Sequence, residues 1–205
     1  MTRRRRQQDR TRATRAALIR TARQLFAQRG YYAVPAEDIV AAAGLTRGAL
    51  QHHFGDKQAL FRAVFEQLEA DISAQLAAAV AGAPDAWAAA TAALGAFLDA
   101  CERPEVIQIA LTDAPAVLGW ATWRAVEAEH GLGLITVGLG QAMADGVLVK
   151  QPVDVLAHLI LSAVIEAALL TANAPNHRAA REDAERTLLT LLAGLRAPAA
   201  TELAR

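Results

Sequence analysis

The sequence predicts an all-α fold, with a small N-terminal three-helix unit followed by a larger helical body. Three observations predict it. Hydrophobic residues make up 54% of the 205-residue chain while aromatics make up only 5%, and alanine is abundant, a composition that favours helix over sheet. Apolar residues recur at spacings of three and four. Pro84, Pro104, Pro115, Pro152, Pro175 and Pro198 fall between the apolar runs, where they punctuate helices.

The first helix is expected over 10–29, with Leu18, Ala22, Leu25 and Phe26 as its apolar stripe and Gly30 as its stop. Residues 36–43 and 47–53 read as two short helices joined by a tight turn, Ala42 to Thr46. Gly44 can adopt the left-handed conformation that ends a helix, and the Thr46 side-chain oxygen can cap the next one. Ile39, Ala43, Leu45, Leu50 and Phe54 fall where such a pair must bury side chains. This is a helix-turn-helix, a motif whose second helix enters the DNA major groove. Gly55-Asp56 breaks the chain, and Asp56 caps a long fourth helix reaching about residue 81, with Leu60, Phe61, Val64, Phe65, Leu68, Ile72 and Leu76 inward. Gly82 and Pro84 end it. Further helices are expected over 85–101, 104–111, 117–144, 153–173 and 177–196. The division expected is a head, 1–56, and a body, 57–205, with the helix 57–81 linking them.

Charge separates the same two parts. Residues 1–57 hold 12 Lys and Arg against four acids, a net +8, and the rest of the chain carries −8, so the formal net charge of zero hides a basic head and an acidic body. A basic head favours polyanions by counterion release. The single Cys101 excludes an intrachain disulfide and a cysteine metal cluster. No phosphate loop and no HExxH occurs, so the sequence predicts no enzyme activity, no cofactor and no metal. No apolar run follows Arg3–Arg6 as a secretory signal requires, and a reducing, cytoplasmic location is expected. The most hydrophobic stretch, 155–172, carries His158, Ser162 and Glu166. A mid-span acid costs about 2.5–3.5 kcal/mol on insertion scales, so the stretch is expected to be a buried helix and not a membrane span.

The runs LIRTARQLFAQRGYY, EDIVAAAGLTRGAL and HHFGDKQALFRAVF, within residues 14–71, carry a resemblance to the TetR family of bacterial transcriptional regulators. It implies a homodimer that binds operator DNA and usually represses, with a small ligand in the helical C-terminal body releasing it. Four positions depart from the family pattern. Gln51 stands where a Tyr is usual, Val34 and Pro35 replace the hydroxyl residues that lead into the second helix, and Val40 replaces an Ala.

Thr46, Arg47, Gly48, Gln51, His52, His53 and Lys57 are the candidate DNA-contacting residues. Arg47, near the start of the reading helix, suits either a bidentate pairing with guanine or a phosphate contact. Gln51 lies one turn on, on the same face. His52 and His53 suit phosphates or bases, though either also suits a solvated surface. A side chain at position 48 would hold the helix off the duplex, unless Gly48 instead serves close helix packing. Thr46 and Lys57 stand at helix starts, which favour phosphate, and the resemblance implies a phosphate contact for Lys57. Arg3–Arg6 are expected to form a flexible arm along the phosphates or in the minor groove.

The candidate effector contacts are Phe97, Leu111, Trp120, Trp123, His158, Ser162 and Glu166. His158, Ser162 and Glu166, spaced by four, form one polar stripe that faces either a ligand or the dimer interface. The aromatics suit either a pocket or core packing. Asp113, Glu127 and His130 are further polar candidates, and acids near aromatics suit an apolar or cationic effector. Two apolar stripes, Ala184, Leu188, Leu191 and Leu195, and Leu156, Leu159, Ala163, Ala167 and Leu170, are expected to support homodimerisation. The function expected is a ligand-responsive homodimeric repressor on a palindromic operator. The alternatives are an activator, a ligand-independent DNA-binding regulator, or, further off, an enzyme in the C-terminal body.

Overall fold

The computed structural model describes residues 3–197, without the side chains of Arg3, Arg4 and Arg6. Those residues are helical apart from turns and one isolated backbone bridge, Leu148 to Arg196. The helices are α1 (Arg3–Arg29), α2 (Ala36–Ala42), α3 (Arg47–Phe54), α4 (Lys57–Val80), α5 (Ala86–Cys101), α6 (Pro104–Val106), α7 (Ala114–Leu118), α8 (Trp120–Ala144), α9 (Val153–Ala172) and α10 (His177–Ala193). A π-helical stretch, Ile107–Asp113, joins α6 to α7. The helix α1 starts at Arg3, not near residue 10, so the expected flexible arm is helical backbone here. The side chains through which that arm was expected to track phosphates lie mostly outside the described residues, as does Pro198.

By contact the described residues form two compact units: those up to Leu68 together with Arg103–Trp123, and Glu69–Glu102 together with those from Arg124 onward. The contacts therefore divide the chain elsewhere than at 56/57. In the first unit, α4 supplies Leu60, Phe61, Val64, Phe65 and Leu68, all fully buried, to a core that also holds Leu18, Phe26, Val34 and Ile39. Phe26, Tyr31 and Phe61 stack mutually, with ring centroids 5.0–5.6 Å apart. The segment 103–123 joins that unit by polar anchors. Arg23 grips Glu105 through two hydrogen bonds, at 2.9 and 3.0 Å, and the buried Asp113 carboxylate accepts from the Tyr31 N–H at 2.7 Å.

The helix expected over 104–111 continues instead through the π turn to Leu118. Pro115 explains the widening: it lacks an N–H and its ring would strike the carbonyl four residues back. Within the widened stretch Ala114 N–H bonds to Ile109 O, and the Thr112 hydroxyl donates to Ile107 O at 2.8 Å. Gly119, at φ +78°, makes the break before α8.

In the second unit two apolar clusters form the core. One centres on Leu139, Met143, Leu148 and Leu156, the other on Leu94, Leu98, Ala167 and Leu188. Arg181 on α10 is held by Asp99, Glu185 and Glu102. The helix α9 is long and apolar enough to cross a membrane by length and composition, but it is not the buried helix expected. Leu156, Ala157, Leu161, Ile165 and Ala168 are buried, while Val155, Leu159 and Leu170 on the opposite face are about 60% exposed. The two stripes expected for association thus mix residues: Leu156, Ala167 and Leu188 belong to the core, and Leu159, Leu170 and Leu191 are exposed.

Candidate DNA-reading helix and effector cavity

Local chemistry places the reading helix. Ala42–Thr46 turns as the residues require: Gly44 sits at φ +65° and the Leu45 N–H closes back on Val40 O at 2.8 Å. The Thr46 hydroxyl accepts from Ala49 N–H at 3.3 Å and caps α3. Pro35 precedes α2 with φ −65° and offers no side-chain cap; Glu37 and Asp38 in the first turn supply the negative charge that a helix start favours. Leu50 anchors α3 in the core, which turns the opposite face outward. That face exposes Thr46, Arg47, Gly48, Gln51 and His52, while His53 is half-buried and stacks edge-on against His52 at 5.1 Å.

One of these residues holds a contact that the sequence did not signal. Arg47 pairs with Glu37 at 3.0 Å across the motif, both groups largely exposed. A Cβ added at Gly48 would meet only the Thr46 hydroxyl, at 3.8 Å, so close helix packing is not what requires glycine there.

Lys57 is neither a solvated side chain nor a free phosphate hook. Its ammonium donates to Tyr31 O and Val34 O, both at 3.1 Å, and lies 3.9 Å from the Tyr31 ring centre. Burial lowers its pKa from the ordinary 10.5, while the two carbonyls favour the charged form. An ammonium has three donors, so two bonds leave one. Lys57→Ala is therefore expected to destabilise the head by about 1–2 kcal/mol, read by urea unfolding, beyond any effect on DNA. An unchanged midpoint would mean the carbonyl bonds contribute nothing.

The second unit holds a cavity of about 450 Å³ lined by α4, α5, α8, α9 and α10. Of the expected effector contacts, Phe97, Glu127 and His130 line it. The others do not. Trp123 is fully buried in the first unit, with Trp120 stacked on it at 4.8 Å and exposed, and Leu111 lies in the π turn. Asp113 is spent on the Tyr31 N–H. His158, Ser162 and Glu166 do share one face, but it is the exposed face of α9, because larger apolar residues take the inward positions. There His158 Nδ1–H donates to Asp154 O at 2.8 Å, and Ser162 donates to His158 O and accepts from Arg124 at 3.0 Å.

The cavity residue that sequence reasoning missed is Glu69. It is only 7% exposed and lines the cavity beside Ile72, Ser73 and Leu76. The signal was present as an acid in an inward stripe, at i+4 from Phe65 and i−3 from Ile72. Burial first, then the neighbouring Glu127 carboxylate, hold its pKa well above the ordinary 4.5. Between the ordinary and the raised value the folded chain keeps a proton that the unfolded chain has lost, so stability falls as pH rises through that window. Glu69→Gln is expected to flatten the fall, giving the higher Tm at pH 8 and little gain at pH 5. Parallel Tm curves for the two proteins would contradict this.

A capped, exposed helix on a basic head defines a helix-turn-helix DNA-binding regulator. Residues 18–64 match the family model for bacterial regulatory proteins of the tetR family, and residues 87–195 match a tetracyclin repressor-like C-terminal domain. A solved TetR-family transcriptional regulator from Pectobacterium atrosepticum superimposes with a TM-score of 0.84 at 35% identity, covering 97% of this chain and 99% of that one. The transposon Tn10 TetC protein of Escherichia coli is 26% identical over 154 residues, 75% of this chain and 78% of that protein. The HTH-type transcriptional regulator AcrR of Shigella flexneri is 41% identical over 59 residues, 29% of this chain and 27% of its own length. The chain belongs to the TetR family of transcriptional regulators.

Proposed function

We propose that this chain is a homodimeric repressor that reads an inverted-repeat operator through α3 and is released by a small molecule bound in the second unit. The observation that carries this reading is the outward face of α3, where Arg47, Gly48 and Gln51 stand clear of the core that Leu50 anchors. Arg47 and Gln51 read bases, Thr46, His52 and His53 supply phosphate or base contacts, and the remaining Lys57 donor reaches a phosphate. The exposed apolar residues of α9 and α10 support a twofold interface, with His158, Ser162 and Glu166 as its polar part. Two reading helices must match half-sites about one DNA turn apart, roughly 34–36 Å, or a multiple of it. A ligand that prefers the mismatched spacing releases the operator by population shift, with α4, which runs unbroken from Lys57 to Val80, as the moving part. A regulator of this class works beside the chromosome, in the cytoplasm.

Selection of bound genomic fragments by the purified protein at near-physiological salt tests the reading. Enrichment of a short inverted repeat supports it, whereas a folded protein that enriches no sequence overturns it. Arg47→Ala is expected to relax preference at one position in each half-site, with discrimination there falling by about 1–3 kcal/mol. A uniform weakening at every site would assign Arg47 to phosphate instead.

A further inference from the structure

Charge on the cavity wall selects among ligand classes. Four acids line it, Glu69, Asp85, Glu127 and Asp145, with His130 and no Lys or Arg. Asp85 and Asp145 are an engaged pair, Asp85 capping α5 through Ala88 N–H at 2.8 Å and Asp145 accepting from Gln141 at 2.8 Å, and Glu127 also has an interaction of its own. The helices α9 and α10 contribute only apolar side chains, Ile160, Leu161, Val164 and Leu192. Arg196 lies over the Trp87 ring at 5.1 Å but does not line the space.

Glu69 differs from the engaged pair. It is buried, faces the cavity, and enters none of the hydrogen bonds or ion pairs found among the described residues. Another buried carboxyl on the same wall, Glu127, acts on it electrostatically. Two buried acids side by side repel when both are charged, and a carboxyl without a donor costs free energy that a core residue would not. A monocation placed between them relieves both costs. An anion meets no Lys or Arg on this wall, and a neutral polar head leaves the repulsion in place. The rest of the wall, with Trp87, Phe97 and Leu76, suits an apolar or aromatic body.

We propose that the cavity binds a lipophilic monocation, an amine whose ammonium sits between Glu69 and Glu127 and whose apolar body fills the space toward Phe97. This rests on the reading of the second unit as the effector domain, and it names the class of effector. Burial and the neighbouring Glu127 favour the protonated form of Glu69, so an ammonium that binds the charged form releases that proton to solvent. Glu127, His130, Asp85 and Asp145 are the other titratable groups on the wall.

Three probes of one body and different heads test it: 4-(2-naphthyl)butylamine, the matching alcohol and the matching carboxylate. Each is titrated by calorimetry into the full-length protein without DNA at pH 8. The amine is expected to bind at least tenfold tighter than the alcohol, with the carboxylate weakest. In Glu69→Gln the preference for amine over alcohol is expected to fall below threefold, and Glu127→Gln gives a second measure should the first fold poorly. Equal binding of amine and alcohol, tighter binding of the carboxylate, an unchanged preference in both variants, or no amine binding up to its solubility limit overturns the assignment. Operator release is measured separately. Selective amine binding that leaves the operator bound keeps this site and removes the ligand-switch reading; release by a neutral probe with no amine preference does the reverse.

Discussion

Phe61→Ala is expected to unfold the reading head. Phe61 is fully buried, with Phe26 5.3 Å and Tyr31 5.0 Å away between ring centroids, and Val64 and Phe65 beside it on α4 are buried as completely. Truncating such a ring removes its transfer free energy and leaves a cavity, together about 3–5 kcal/mol. A domain has only about 5–15 kcal/mol in total, so the loss takes much of the margin. The ring also sits against Tyr31, whose carbonyl receives Lys57, so collapse there disturbs the start of α4 as well as the core. Urea unfolding followed by aromatic fluorescence reads the loss, and Phe61→Leu, which keeps most of the volume, is expected to cost less than half as much. A loss below about 1 kcal/mol for alanine would mean that the ring cluster does not hold the head together.

Leu159→Asp is expected to separate the dimer and so abolish tight operator binding. Leu159 stands 63% exposed on α9, in the same exposed band as Val155 and Leu170, and Leu191 on α10 is exposed to the same degree. Large apolar side chains repeated along one helix face point to a surface that is covered in use. On a twofold interface one substitution acts twice, and each buried carboxylate there would be unpaired. Sedimentation at micromolar concentration should give a monomer. Operator affinity should fall by about a hundredfold or more, since the second half-site then binds without the benefit of linkage. A persistent dimer with unchanged affinity would move the interface away from α9.

How far each element was legible depended on how local its causes are. The turn from Gly44 to Thr46 and the burial of Leu50 follow from residues a few positions apart, and they stand where the sequence placed them. The stretch 103–123 was misread because its shape is decided at a distance. Glu105 answers to Arg23 and Asp113 to the Tyr31 N–H, both 82 residues away, and Pro115 widens the helix between them. Periodicity placed His158, Ser162 and Glu166 on one face correctly but could not say which face looks inward, since the helix is apolar nearly all round. Phe97, Glu127 and His130 reached the cavity, whereas Glu69 was passed over because an acid interrupts the apolar pattern by which its inward stripe is read. Lys57 was assigned outward from its place at a helix start and from the family resemblance, and its two carbonyl bonds depend on where the chain after α1 turns.

The Arg47–Glu37 pair gives the reading arginine a resting place on its own protein. An exposed pair of this kind is worth about 0–1 kcal/mol, and a bidentate guanine about 1–3 kcal/mol. A lone phosphate, offering one acceptor in a screened setting, barely outbids the carboxylate. A guanine edge, offering two acceptors in one plane, clearly does. On the proposed reading of Arg47 as a base contact, it would stay folded back while the head travels along unrelated DNA and would add little drag. It would extend where the sequence rewards it, so that the search along the duplex and the recognition of a site become two postures of one side chain.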